Sequence, residues 1–341
     1  DKKFVTKKNE NYIFRRKDFS VLMLKTIINL TCINNPEEPM KDSKICLIFN
    51  PISGLSMKGI TRFHPLEDII EVFSHERISL TIKTTARTGD GTRLTRETVR
   101  EGYSHIIACG GDGTINEVVN GIVDTNVVMG IIPLGTENIL AKSMEVPLDI
   151  KQACRHFLEA SEQIWDVGVA NGRYFLITSG IGLDARVVYE MEPALKKAMG
   201  SFGFILKGAQ MLFLENEKKS TKAKIRFLDK NITYESPFWL IVIGNLAYYG
   251  GGVKLALKAI PNDGALDVIV IPFSDDAVDI ATRVLEVFTE SHLDWGEIPY
   301  FTSSEFEITT DPPVYCQIDG ELLGKTPVHY SIKPLAIKVK F

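Results

Sequence analysis

The sequence lacks the roughly 18 consecutive apolar residues that a membrane-spanning helix needs. Its nearest approach, FSVLMLKTIINLTCI (19–33), is broken by Lys25 and Asn29 and follows Arg15, Arg16 and Lys17. With no clean apolar core and no small-residue cleavage site, it does not read as a signal peptide. It reads as a helix packed on its own protein or an ordered leader; a basic amphipathic segment touching membranes is the alternative. Cysteine is scarce and odd in number: Cys32, Cys46, Cys109, Cys154 and Cys316, with no CxxC pair. Neither a disulfide framework nor a zinc site is suggested, and a reducing cytoplasm is the simplest home. The six histidines show no metal-ligand spacing. Positive charge is not in excess. At a net charge of −4 the chain offers no broad basic surface, so nucleic acid is not an expected partner.

What is present is an ordinary globular composition, 45% hydrophobic and 24% charged, in a length that suggests two domains. Residues 1–43 read as an extension, closed by the polar, proline-bearing NNPEEPMKDSK (34–44). ICLIFN (45–50), HIIACG (105–110) and NVVMGIIPLG (126–135) are continuous apolar runs closed by turn residues, the pattern of strands buried on both faces of a parallel sheet. ISLTIKTT (78–85) alternates like a strand. Between them, residues 64–76, 94–103 and 114–123 read as helices; in the last, Ile115, Val118, Val119 and Ile122 share one face. This alternation predicts a doubly wound α/β domain. From about Trp165 the texture changes to short β runs punctuated by NG, NDG and DG turns, which predicts a mainly antiparallel β-sandwich with helical inserts at 191–215 and 275–291.

In parallel α/β sheets, ligands bind at the carboxyl ends of the strands. Four such ends carry unusual loops here: NPISG (50–54), Thr84–Thr85, GGDGT (110–114) and PLGTEN (133–138). Glycines let a backbone approach phosphates, and a helix beginning at Thr114 adds its positive end. GGDG is neither the Rossmann GxGxxG nor the Walker GxxxxGK[ST]. Asp112 repels phosphate unless a divalent cation, Mg²⁺ by chemistry, lies between them. Taken singly, GGDG is equally a tight turn with Asp112 as a helix cap, and NPISG is a plain turn. Four consecutive loops of this kind are harder to assign to turns alone. In the same way Asp319 and Glu321 flank Gly320, so that both reach one site if the turn is tight; alone, they are a hairpin turn with a solvated glutamate.

NPxSG, GGDGTxNEVVNG and PLGTxN together resemble the diacylglycerol kinase and sphingosine kinase superfamily, in particular its soluble bacterial lipid kinases. DVGVANGRYFLITSGIGLDARVV (166–188), GNLAYYGGGVKLALKAIPNDGALDVIVI (244–271) and QIDGELLGKTPV (317–328) are similar to the later family blocks, in the family order. The resemblance runs from about residue 44 to the end. It implies ATP-dependent phosphorylation of a lipid hydroxyl in a cleft between two domains. These would be an α/β ATP-binding domain (44–163, completed by 326–341) and a β-sandwich lipid domain (164–325). It further implies that Asn50, Pro51, Ser53, Gly54, Thr85, Gly110, Gly111, Gly113, Thr114, Asn116, Glu117, Gly135, Thr136 and Asn138 line ATP. Asp112 would serve Mg²⁺, Asp263 a structural or regulatory Mg²⁺ site, and Asp319 and Glu321 the catalytic end, with Asp112 as the rival base. One departure stands out: the family loop reads GTxND, whereas this chain has Ile139 in place of the final acid and Glu137 within the loop.

The apolar stretch SFGFILKGAQMLFL (201–214) suits an acyl-chain channel or a membrane lip, or a helix covering the sandwich. KKSTKAK (218–224) suits anionic lipid heads or plain solvation, and Lys58 a phosphate or solvent. The expected setting is cytoplasmic, with reversible peripheral contact to the membrane that holds the lipid substrate. Sandwich edge strands offer a homodimer surface. The competing readings are an NAD kinase-like enzyme, which also uses GGDG, and a non-catalytic nucleotide- or lipid-binding module.

Overall fold

Apolar runs hydrogen-bonded side by side build the first half of the chain. The computed structural model describes residues 43–53, 65–190, 221–249, 253–293 and 298–341. The N-terminal extension, Gly54, Lys58, the apolar stretch 201–214 and the insert expected at 191–215 lie outside these. Strands β1 (Ile45–Phe49), β2 (Leu80–Thr84), β3 (His105–Gly110) and β4 (Val128–Pro133) pair in parallel in the order β2-β1-β3-β4. Every residue of β1, β3 and β4 is buried, as a strand covered on both faces requires. Helices α1 (Pro65–His75), α2 (Asp90–Arg100), α3 (Asp112–Ile122), the short α4 (Ile139–Ser143) and α5 (Ile150–Glu159) supply that cover. Ile115, Val118, Val119 and Ile122 of α3 join Cys46, Ile106 and Met129 in one core; Ile69 and Phe73 of α1 join Leu47, Ile107 and Phe157 in the other.

The second half is antiparallel. It comprises β5 (Gln163–Ala170), β6 (Arg173–Phe175), β7 (Thr178–Gly182), α6 (Leu183–Glu190), β8 (Thr221–Phe227), β9 (Ile232–Gly244) and β10 (Leu266–Pro272). It continues with α7 (Ala277–Phe288), β11 (Tyr300–Ser303), β12 (Glu305–Asp311), β13 (Tyr315–Ile318), β14 (Glu321–Lys325) and β15 (Val328–Val339). Inward residues of these strands, among them Phe175, Ile225, Ile243, Val268, Phe306, Ile318 and Tyr330, form a separate sandwich core. α7 falls where the second helical insert is expected. The two halves are not separate sheets. β15 pairs with β12 near its start and runs parallel to β4 near its end, so the fifteen strands of the described residues are hydrogen-bonded into one sheet. A break in β15 between Lys333 and Ile337 allows this change of partner. There Leu335 adopts a positive φ, and its N–H donates to the buried Asp166 carboxylate at 2.6 Å. The described residues belong to one compact unit.

Candidate active site

The parallel register brings the predicted loops to one edge. Phe49 lies opposite Thr84 and Cys109, and Gly110 opposite Pro133. The ladder runs one step further: Asn50 N–H donates to Cys109 O, Thr85 N–H to Phe49 O and Leu134 N–H to Gly110 O, at 2.8–2.9 Å. Asn50 also donates from Nδ2 to Thr114 Oγ1 at 3.0 Å, while its Oδ1 accepts from Ile52 N–H. Pro51 is exposed, Ser53 half-buried, Thr85 and Thr114 buried. Gly111 and Gly135 meet backbone to backbone. A Cβ on Gly135 would lie 2.6 Å from the Gly111 Cα, a contact no side chain tolerates, and one on Gly111 would lie a tight 3.1 Å from the Gly135 Cα, so this approach requires glycine at 135. Asn138 sits in the left-handed region and closes its loop by exchanging hydrogen bonds with Gly135. Thr136 is exposed.

Two acids of α3 act on other helices. Glu117 accepts from Gly89 N–H at 2.7 Å and Gly91 N–H at 2.6 Å, satisfying the start of α2, which has no side-chain cap of its own. Asp112 accepts from Ile139 N–H at 3.1 Å and Leu140 N–H at 3.2 Å, doing the same for α4. Each Asp112 oxygen takes one amide, so the carboxylate keeps lone pairs for a further partner. Burial raises the Asp112 carboxyl above its ordinary value, against the pull of those amides and helped by the charge of Glu137. A cation placed there would favour the ionised form, so the residue suits Mg²⁺. Among the described residues no group of three or more His, Cys, Asp or Glu side chains could hold a metal ion. Mg²⁺ here would depend on phosphate oxygens and water, its common habit.

The same helix also reaches the sandwich. Asn116 donates from Nδ2 to Asp319 Oδ2 at 2.8 Å and to the Tyr174 carbonyl at 3.2 Å. Asp319, with φ of 45° in the turn between β13 and β14, also accepts from Leu176, Ile177 and Thr178 N–H at 2.8–3.0 Å. Four donors thus occupy the roughly four acceptor positions of a carboxylate. Burial raises the Asp319 carboxyl against the pull of these donors. Glu321 is committed differently. Its Oε2 accepts from Arg173 at 3.1 Å, and its Oε1 lies 3.7 Å from where a Gly113 Cβ would be. The DGE turn and the GGDG turn therefore meet across the two halves. Asp263 lies in another turn; its Oδ1 accepts from Ala265 N–H, and burial followed by the charge of Asp166 raises its carboxyl. Arg173, Asp166 and Asn120 escaped the sequence reading. Asn120 donates to the Tyr174 carbonyl beside Asn116, and only its spacing of four from Asn116 could have flagged it. Two hollows of about 410 and 540 Å³ lie elsewhere, over β8, β9 and β12 and at the opposite edge of the parallel sheet, and contain none of these residues.

A nucleotide-type α/β edge meets an acidic turn from a β-sandwich, and comparison with known proteins assigns a chain built this way to a lipid kinase family. Residues 44–170 match the diacylglycerol kinase catalytic domain, and residues 178–341 the YegS C-terminal NAD kinase beta sandwich-like domain. The chain is 30% identical over 291 residues to a diacylglycerol kinase of Bacillus subtilis, covering 84% of this chain and 92% of that one. It is 27% identical over 286 residues to a diacylglycerol kinase of Staphylococcus saprophyticus, covering 83% and 90%. Two crystal structures from Bacillus anthracis str. Sterne share the fold. One has a TM-score of 0.75 at 25% identity, covering 90% of this chain and 98% of that one. The other, of a diacylglycerol kinase, has 0.71 at 24%, covering 88% and 97%. The chain belongs to the diacylglycerol kinase family. As a kinase of that family it takes ATP as phosphate donor and a lipid as acceptor.

Proposed function

We propose that this chain transfers the γ-phosphate of ATP to the free hydroxyl of a diacylglycerol-like lipid at a membrane surface. The observation that carries the reading is the approach of Glu321 Oε1 to Gly113, at the start of α3. It puts a carboxylate beside a glycine-rich helix N-terminus suited to a phosphate chain. In this reading the strand-end loops at Asn50–Ser53, Thr85, Gly110–Thr114 and Gly135–Asn138 cradle the nucleotide. Asn116 and Glu117 act behind them, through Asp319 and the start of α2. Asp319 holds the turn, because its acceptor positions are filled. Glu321, half-exposed and paired with Arg173 through Oε2, accepts the lipid hydroxyl proton. The hydroxyl oxygen bonds to the γ-phosphorus, the bond to the β–γ bridging oxygen breaks, and ADP leaves. Mg²⁺ held beside Asp112 would neutralise charge on the phosphates. Asp263, with carbonyls of its turn, is the candidate for a second, structural ion.

A membrane-borne acceptor calls for peripheral contact. Among the described residues no helix is long and apolar enough to cross a bilayer. The buried thiols of Cys46, Cys109, Cys154 and Cys316 suit a reducing cytoplasm. The edges of β2 and β14 at the two ends of the main strand path are where a homodimer would pair. The test is phosphate transfer from γ-labelled ATP with Mg²⁺ to a panel of lipid alcohols in mixed micelles, with NAD as a parallel acceptor. Label on diacylglycerol is the expected result. Label on NAD would favour the NAD kinase-like alternative suggested by the sandwich domain's description. ATP binding without transfer to any acceptor would favour a binding module.

A further inference from the structure

We propose that Arg173 is a positioning residue that aims the Glu321 carboxylate at the start of α3. The proposal rests on the reading of Glu321 as proton acceptor. Asn171 and Gly172 both have positive φ and form the tight turn between β5 and β6, which presents Arg173 directly after it. The next residue is fixed to α3: the Tyr174 carbonyl accepts from Asn116 and Asn120, and its N–H donates to Asn120 Oδ1 at 3.4 Å. The Arg173 backbone is thereby held against the helix whose first turn carries Gly113.

Its guanidinium then crosses to β14. One nitrogen donates to Glu321 Oε2 at 3.1 Å and the other to the Leu322 carbonyl at 3.3 Å. The planar fork grips the carboxylate and the adjacent backbone together, leaving Oε1 on the Gly113 side. Among the described residues Arg173 is the only ion-pair partner of Glu321. Both side chains are nearly half exposed, 45% and 40%, so the pair contributes little to folding stability. A free glutamate side chain samples several rotamers, and fixing one of them favours a near-attack geometry. A lysine could meet the carboxylate but not both acceptors in one plane.

The test is a double-mutant cycle with Arg173→Gln and Glu321→Gln, measured as ATP-dependent lipid phosphorylation. Arg173→Gln is expected to lower kcat by about 10–100-fold, leaving the KM for ATP and the melting temperature near wild type. Arg173→Lys should fall with it. In the Glu321→Gln background the same arginine change should cost less than about twofold, because its target is gone. Multiplicative losses would overturn the proposal and make Arg173 an independent contact to substrate; so would full activity of Arg173→Lys, or a raised KM for ATP at unchanged kcat. Wild-type turnover by Glu321→Gln alone would instead sink the assignment of Glu321 as base, a failure separable from the cycle.

Discussion

Asn116 and Asp319 are 203 residues apart in the chain and 2.8 Å apart in the fold. That hydrogen bond joins the helix of the GGDG loop to the DGE turn. Its acceptor also receives three consecutive backbone N–H groups, from Leu176 to Thr178. Asp319→Asn turns one acceptor oxygen into a donor facing donors. It should cost about 2–3 kcal/mol in urea unfolding as well as turnover. Glu321→Gln, in a half-exposed position, should leave stability within about 0.5 kcal/mol while cutting kcat by at least about 100-fold. Equal stability of the two variants would show that the Asp319 contacts are not what holds the turn.

Gly113 and Gly135 should respond in opposite senses. Among the described residues a Cβ on Gly113 meets only Glu321 Oε1, at 3.7 Å, and the residue is helical. Gly113→Ala should therefore stabilise the fold by up to about 1 kcal/mol and weaken ATP binding if phosphates approach this backbone. Gly135→Ala collides with the Gly111 backbone and should lower both the melting temperature and ATP affinity. Calorimetry with ATP on the two variants separates these effects. Unchanged affinity in Gly113→Ala would place the phosphates elsewhere.

Glu117 is exchangeable only at the expense of the start of α2. Glu117→Ala orphans the Gly89 and Gly91 N–H groups and should cost about 1–2 kcal/mol. The loop beside Thr85 should loosen with it, raising the KM for ATP more than it lowers kcat. Steady-state kinetics that show the reverse would argue for a direct role in transfer.

Asp267 gives a pH signature. Burial pushes its carboxyl up to about 6, only partly offset by the Tyr300 hydroxyl, and among the described residues its Oδ1 has no hydrogen-bond partner. A folded-state value above the unfolded one makes its stabilising share complete below the ordinary value of 3.8; that share is lost as pH rises through about 6. Asp267→Asn removes this dependence. In chelator, the variant's stability relative to wild type should rise by on the order of 2–3 kcal/mol from about pH 4 to about pH 7. A flat difference across that range would mean the wild-type carboxyl titrates normally.

Much of the α/β half was legible because burial on both faces writes continuous apolar runs, as at Ile45–Phe49 and His105–Gly110. The helix expected from residue 94 begins at Asp90 instead, and the short helix at Ile139 went unread. Both have a left-handed residue and no local side chain at the N-cap, since their orphan N–H groups are satisfied by acids of α3. A cap supplied from 26 or 27 residues away leaves no mark in local sequence. Ile139 in place of the usual acid fits the same account to this extent: what the loop gives Asp112 is the Ile139 main-chain N–H, which any residue but proline supplies.

By itself the sequence determined the fold class, the four loops at the strand ends and the two acidic turns, because local periodicity and turn chemistry specify those features within a few residues. Tertiary structure alone decided what each carboxylate touches. Asp112 and Glu117 cap helices, Asp319 is saturated, and Glu321 is held by Arg173 from 148 residues away. It also decided that β15 would fuse both halves into one sheet. Such contacts depend on how helices and strands are registered against one another after burial has assembled them, and a hydrogen bond is specific only at that range.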